Sequence, residues 1–160
     1  MLFWCYNSAM ILRTLSVTLA AAVALVLPLL AADTAQVWKA SQLKAYEKGL
    51  HDKTMKGAVG DYGNHTASVN HREEDGVVEV HENQSDILMV VSGEATIILG
   101  GKPADLKQTA PGEFRAPTST GGEATQLSAG DVIHIPPMVP HWFKVAKGQQ
   151  ITYFTIKINK

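Results

Sequence analysis

Cysteine is nearly absent from this chain: Cys5 is the only one among 160 residues. A disulfide-stapled scaffold and a cysteine-ligated metal centre are thereby excluded. An excess of positive charge is missing as well. Fourteen basic residues face fifteen acidic ones, a formal net charge of -1, so no basic stripe is available to track a nucleic-acid backbone. Internal repeats and low-complexity tracts are also lacking, and helical periodicity disappears beyond about residue 50. The length suits one ordinary domain with enough chain to bury a core.

What is present begins with an apolar leader. Residues 16–30 read SVTLAAAVALVLPLL, preceded by Arg13 and followed by AADTA. A basic n-region, a short apolar h-region and small residues at the exit predict a signal peptide over residues 1–32, and hence export to the periplasm or medium. Pro28 suits a cleavage region better than a spanning helix. An uncleaved anchor is the alternative, because Leu stands at position -3 for cleavage after Ala31 or Ala32. MILRTLSVTL from Met10 makes the better n-region, so translation is expected to begin there. Either way Cys5 is lost on cleavage, and the mature chain carries 13 basic against 15 acidic residues, a net charge of -2.

From Val37 to Leu50 the chain carries Trp38, Leu43, Tyr46 and Leu50 at helical spacing, with Ser41 as an N-cap and Gly49 near the stop. This predicts a short amphipathic helix packed on the main body, in an N-terminal arm of residues 33–56. Seven short β-branched or alternating runs follow: HTASVNHR, GVVEVHE, DILMVVSG, EATIILGG, GDVIHIP, HWFKVA and QQITYFTIKI. Many short strands with little helix mean an all-β sandwich or barrel, here over residues 57–160. Residues 100–124 hold Pro103, Pro111 and Pro117 and read as a long connection with one short strand around Phe114.

Two stretches carry chemistry. In EVHENQSDILMVVSG, Glu79 and His81 point to the same face of a strand because alternate residues do. Asp86 opens the next strand after the turn ENQS, so a hairpin would bring it across from that pair. Downstream, GDVIHIPPMVPHWFKV places His141 after Pro136, Pro137 and Pro140, which hold an imidazole at low conformational cost.

Together these stretches resemble the two motifs of the cupin superfamily, over about residues 65–158. Glu79, His81, Asp86 and Gly93 match the first motif, and Gly130, Pro136, Met138 and His141 the second. The departures are specific. Glu79 replaces the family's first histidine, Asp86 its glutamate, Met138 a usual glycine, and Val145 a final asparagine. Gly76 lies one residue too close to Glu79. A shifted alignment using His81 and Asn83 leaves too few residues before Asp86. The resemblance implies a small antiparallel jelly-roll barrel with one divalent metal in its mouth, held by Glu79, His81, Asp86 and His141.

Two imidazoles and two carboxylates suit Mn, Fe, Ni or Zn, and the absence of cysteine disfavours Cu(I). Glu79 could instead accept from His81 and fix its tautomer, or act as the catalytic base. His134, His71, Arg115 and Phe143 are the substrate-binding candidates: two histidines near the motifs, a loop arginine able to clamp a carboxylate, and an aromatic sharing the parity of His141. His65 and His51 read as solvated. Tyr153 and Lys157 share a face of the last strand, and the sequence leaves open which face is inside. The expected function is that of a metal-dependent cupin enzyme of oxygenase, lyase or isomerase type acting on a small molecule. A non-catalytic binding or storage cupin and a metal-free sugar-type isomerase are the alternatives, and a homodimer would hide edge strands.

Overall fold

The computed structural model describes residues 35–49 and 54–160. The expected signal peptide, Leu50 and His51 lie outside them. The one helix among the described residues, α1 (Ala40–Gly49), starts a residue before the expected cap. Lys39 is the capping position: its carbonyl accepts from the Gln42 and Leu43 amides, and the Gln42 side chain accepts from the Lys39 amide at 3.0 Å. That is the reach-back half of a capping box, and it places Ser41 inside the first turn. Among the described residues no helix is long and apolar enough to cross a membrane.

Twelve strands follow among the described residues: β1 (Thr54–Asp61), β2 (His65–Arg72), β3 (Val78–His81), β4 (Gln84–Leu99), β5 (Lys102–Ala104), β6 (Lys107–Ala110), β7 (Glu113–Ala116), β8 (Thr118–Thr120), β9 (Glu123–Ser128), β10 (Val132–Ile135), β11 (His141–Lys144) and β12 (Ile151–Asn159). All pairings are antiparallel. One face of the barrel runs β1-β2-β12-β4-β10, and the other runs β9-β4-β11-β3-β7-β6. This is the expected all-β jelly roll with a short helix.

Three expectations change in detail. β1 was not anticipated, since its two glycines dilute the β signal of TMKGAVGD. The stretch 100–124 is not one long connection but holds β5 to β8, with β5 and β8 forming a separate ribbon. DILMVVSG and EATIILGG are one strand, β4, rather than two. Residues 84–93 of β4 lie between β12 and β10, and residues 94–99 between β11 and β9. The strand changes sheet at Gly93, whose φ is +74°. A Cβ there would sit 2.0 Å from the Gln150 carbonyl oxygen, the same oxygen that accepts from the Glu94 amide at 2.8 Å.

The barrel interior is apolar at one end. Leu88, Val90, Ala95, Ile97, Leu127 and Ile151 belong to its buried cluster, with Phe143 stacked on Tyr153 at 4.7 Å. A second, smaller cluster lies outside the barrel wall. There Leu43 of α1 and Trp38 cover Ala67, Val69 and Phe154, with the Trp38 and Phe154 ring centroids 5.0 Å apart. The helix therefore packs on the body through Leu43, with Trp38 just before it, while the Tyr46 side chain of the expected stripe lies outside the described residues.

Two left-handed positions give opposite predictions. Gly93→Ala should lower stability by about 3 kcal/mol, from backbone strain plus collision with fixed backbone. Urea unfolding measures it, and a loss under about 1 kcal/mol would refute the sheet-changing role. Met138 also has a positive φ, +65°, while its side chain is largely exposed and its amide donates to the His81 carbonyl at 2.8 Å. Met138→Gly should therefore leave stability unchanged or raise it by up to about 1 kcal/mol, because relief of strain outweighs the added chain entropy. A lowered thermal midpoint would contradict this.

Candidate functional site

The site forms where three short strands of one face lie side by side. On β3, Glu79 and His81 project inward together, as their parity required. β11 and β7 flank β3, with His141 and Arg115 in register with Glu79 on either side, and Glu113 in register with His81. Asp86 arrives from β4 on the opposing face, beside Lys157 of β12. The expected hairpin between β3 and β4 does not form, since the two strands do not pair. Asp86 meets the pair across the barrel mouth instead.

Both imidazoles are locked in one tautomer. His81 Nδ1 donates to both oxygens of Glu113 at 2.9 Å. Its Nε2 accepts from the Lys157 ammonium at 2.7 Å, and a lysine has only donors to offer. His141 Nδ1 donates to the Val139 carbonyl at 3.1 Å, leaving its Nε2 lone pair for the site. Burial holds His141 below its ordinary pKa, more than Glu79 and Asp86 raise it, so the ring is neutral. The rings lie 5.1 Å apart.

The carboxylates are ionised. Burial works against the charge of Glu79, but the Arg115 and Arg72 guanidiniums and the Lys157 ammonium pull its pKa below the ordinary range. Arg72 Nη2 donates to it at 3.1 Å, and Arg115 Nη2 lies 3.3 Å away. Asp86 is lowered from 3.8 to about 2: burial opposes this, and the Lys157 ammonium beside its two oxygens overcomes it. Lys157 contacts both Asp86 oxygens, at 2.8 and 2.9 Å.

The side chains bound a cavity of about 460 Å³, sized for a small metabolite. Phe143 and Tyr153 lie at its apolar end, with the Arg72 guanidinium 5.5 Å from the Phe143 ring. Ser68, Asn70 and Thr155 give it a hydroxyl and amide wall, in which Asn70 donates to both neighbours. Arg115 lines the cavity from a strand rather than a loop. His71 also borders it, buried, bonded to Thr152 at 2.8 Å and Glu73 at 3.2 Å.

His134 does not reach the cavity. Its strand parity with the exposed Val132 turns it outward, and it is exposed on β10. The expected role of Glu79 in fixing the His81 tautomer falls to Glu113. Sequence reasoning missed Glu113, Arg72 and the inward direction of Lys157. Glu113 shared parity with Arg115, and Lys157 with Tyr153, so half of each signal was present.

The ligand atoms of Glu79, His81 and His141 lie within 4.8 Å of one another, so this group could hold a metal ion. Donors around one ion at about 2.1 Å sit roughly 3 to 4 Å apart, a contraction that side-chain motion can supply. The tautomers fit as well: each histidine turns its second nitrogen to an acceptor, the arrangement that orients metal-bound imidazoles.

The cupin family model matches residues 59–160. The chain is a cupin. Solved structures agree on this fold at low identity. A Klebsiella pneumoniae protein of unknown function with a double-stranded β-helix domain has a TM-score of 0.56 and 16% identity, covering 79% of this chain and 91% of its own. A Thermus thermophilus protein has a TM-score of 0.54 at 14% identity, covering 77% and 96%. A cupin-2 domain from Rhodospirillum rubrum has 0.50 at 9%, covering 68% and 61%. No curated protein sequence matches this cupin.

The depressed Asp86 pKa fixes a pH dependence in metal-free protein. A carboxylate lowered on folding contributes stability that is complete above its ordinary 3.8 and lost as pH falls through about 2. The loss is about 2 kcal/mol. Urea unfolding between pH 5 and pH 2 should show it, and Asp86→Asn should flatten this part of the profile. An unchanged slope in the variant would refute the assignment.

Proposed function

We propose that this cupin binds a divalent first-row metal (Mn, Fe, Ni or Zn) through Glu79, His81 and His141, with Asp86 as a fourth ligand, and acts on a small oxygen-rich molecule. The observation that carries this reading is the convergence of two Nε2 lone pairs, each fixed by an acceptor on its own Nδ1–H, beside an ionised glutamate. A bound ion would supply Lewis-acid or redox chemistry toward ligand oxygens. The hydroxyl and amide wall of Ser68, Asn70 and Thr155 offers hydrogen bonds to such a ligand, and Phe143 offers an apolar face. Arg115 offers guanidinium charge to an anionic group, and His71 a further edge of the pocket.

Glu79 serves this reading as a ligand better than as a catalytic base. Two guanidiniums hold its charge, and a carboxylate so stabilised is a weak proton acceptor. Enzymatic turnover of oxygenase, lyase or isomerase type extends the same proposal, as does export by the leader in residues 1–32.

Elemental analysis of protein never exposed to chelator tests the metal. One equivalent is expected in the wild type, and less than a tenth of that in His81→Ala and His141→Ala. A metal-free wild type would sink the reading. Glu79→Gln separates the two roles of that residue: lost metal is expected, while retained metal with lost turnover would return Glu79 to proton transfer.

A further inference from the structure

The proposed donor set already serves a cation. Lys157 Nζ lies 2.7 Å from His81 Nε2 and 2.8 and 2.9 Å from the two Asp86 oxygens. These are the atoms that a metal bound by His81 and Asp86 would require. An ammonium donates and cannot ligate, so its bond to His81 Nε2 and a metal bond to that nitrogen exclude each other. Charge points the same way. Arg72, Arg115 and Lys157 face Glu79, Asp86 and Glu113, so three cationic side chains already stand against three carboxylates without any ion. A divalent ion added beside Lys157 would leave the cavity in excess positive charge, a costly state in a partly desolvated site.

We propose that Lys157 is an internal competitor for the metal, so that ion and ammonium alternate on His81 and Asp86. Lys157 is placed for this. It lies near the end of β12, its side chain is 17% exposed at the cavity mouth, and four methylenes let the ammonium swing toward water. The competition lowers the affinity of this cupin for metal, and it holds Asp86 satisfied when no ion is bound. The inference rests on the metal reading above, and its test separates the two.

Full-length protein, stripped of metal, is titrated calorimetrically with Zn²⁺ alone and with Mn²⁺ alone. Lys157→Met, of similar length and without charge, should bind at least tenfold more tightly than wild type, and Lys157→Arg should not. Without metal, Lys157→Met should melt at a lower temperature than wild type, because Asp86 loses its partner. With metal it should show the larger upward shift. A merely structural lysine would lower both midpoints alike and leave affinity unchanged. Affinity within twofold of wild type overturns the proposal. If wild type takes up no ion and Lys157→Met does, the competitor role stands and the resident-metal reading falls. If neither binds, both fall. Should Lys157→Met fail to fold, Lys157→Gln carries the same comparison. The metal-loaded crystal structure of the wild type gives an independent result: Lys157 Nζ still within 3.5 Å of His81 Nε2 would overturn the proposal.

Discussion

Buried charge governs this cupin's site. A carboxylate taken out of water must find cations or donors, or it becomes neutral. Glu79 and Asp86 are both largely buried and both ionised, so the chain surrounds them with Arg72, Arg115 and Lys157. That requirement explains why one end of the barrel is polar while the other is filled by Leu88, Val90, Ile97 and Ile151. It also explains why the compensating groups come from several strands. No single strand could present so many partners on one face, since only alternate residues point inward.

The parts legible in the sequence were those set by local pattern. Period-two spacing put Glu79 and His81 on one face, and the prolines before His141 marked its placement. The all-β class followed from the strand runs, and α1 from the spacing of its apolar stripe. What stayed hidden depended on which strand lies beside which. Glu113 and Arg115 matter because β7 pairs with β3, a neighbour that an irregular, proline-bearing segment does not announce. Lys157 could be placed opposite Tyr153's neighbours by parity, but only the packing of β12 against β4 decided that this face looks inward. His134 shows the converse: its strand was recognised, and its side was not.

Three of the departures from the family pattern fall into two kinds. Exchanging an imidazole for Glu79 adds a negative charge to the mouth, which Arg72 and Arg115 offset, while aspartate in place of glutamate at Asp86 keeps the charge and shortens the side chain. Met138 changes no charge and lies outside the cavity, at the price of a backbone conformation that glycine takes freely. The first kind alters chemistry and the second only stability. The solved structures share the fold at 14 to 16% identity, so the barrel's path tolerates wide change in sequence.

β4 belongs to both faces of the barrel, with β12 and β10 on its first part and β11 and β9 on its second. Neither face can be completed while that strand is out of place. The pairings it makes also join distant parts of the chain, which raises the mean sequence separation of contacts and slows folding. Such a strand joins the two walls into one cooperative unit, so partial opening that spares one wall is costly. Its amide protons would accordingly exchange with solvent only through global unfolding, while the β5–β8 ribbon opens on its own.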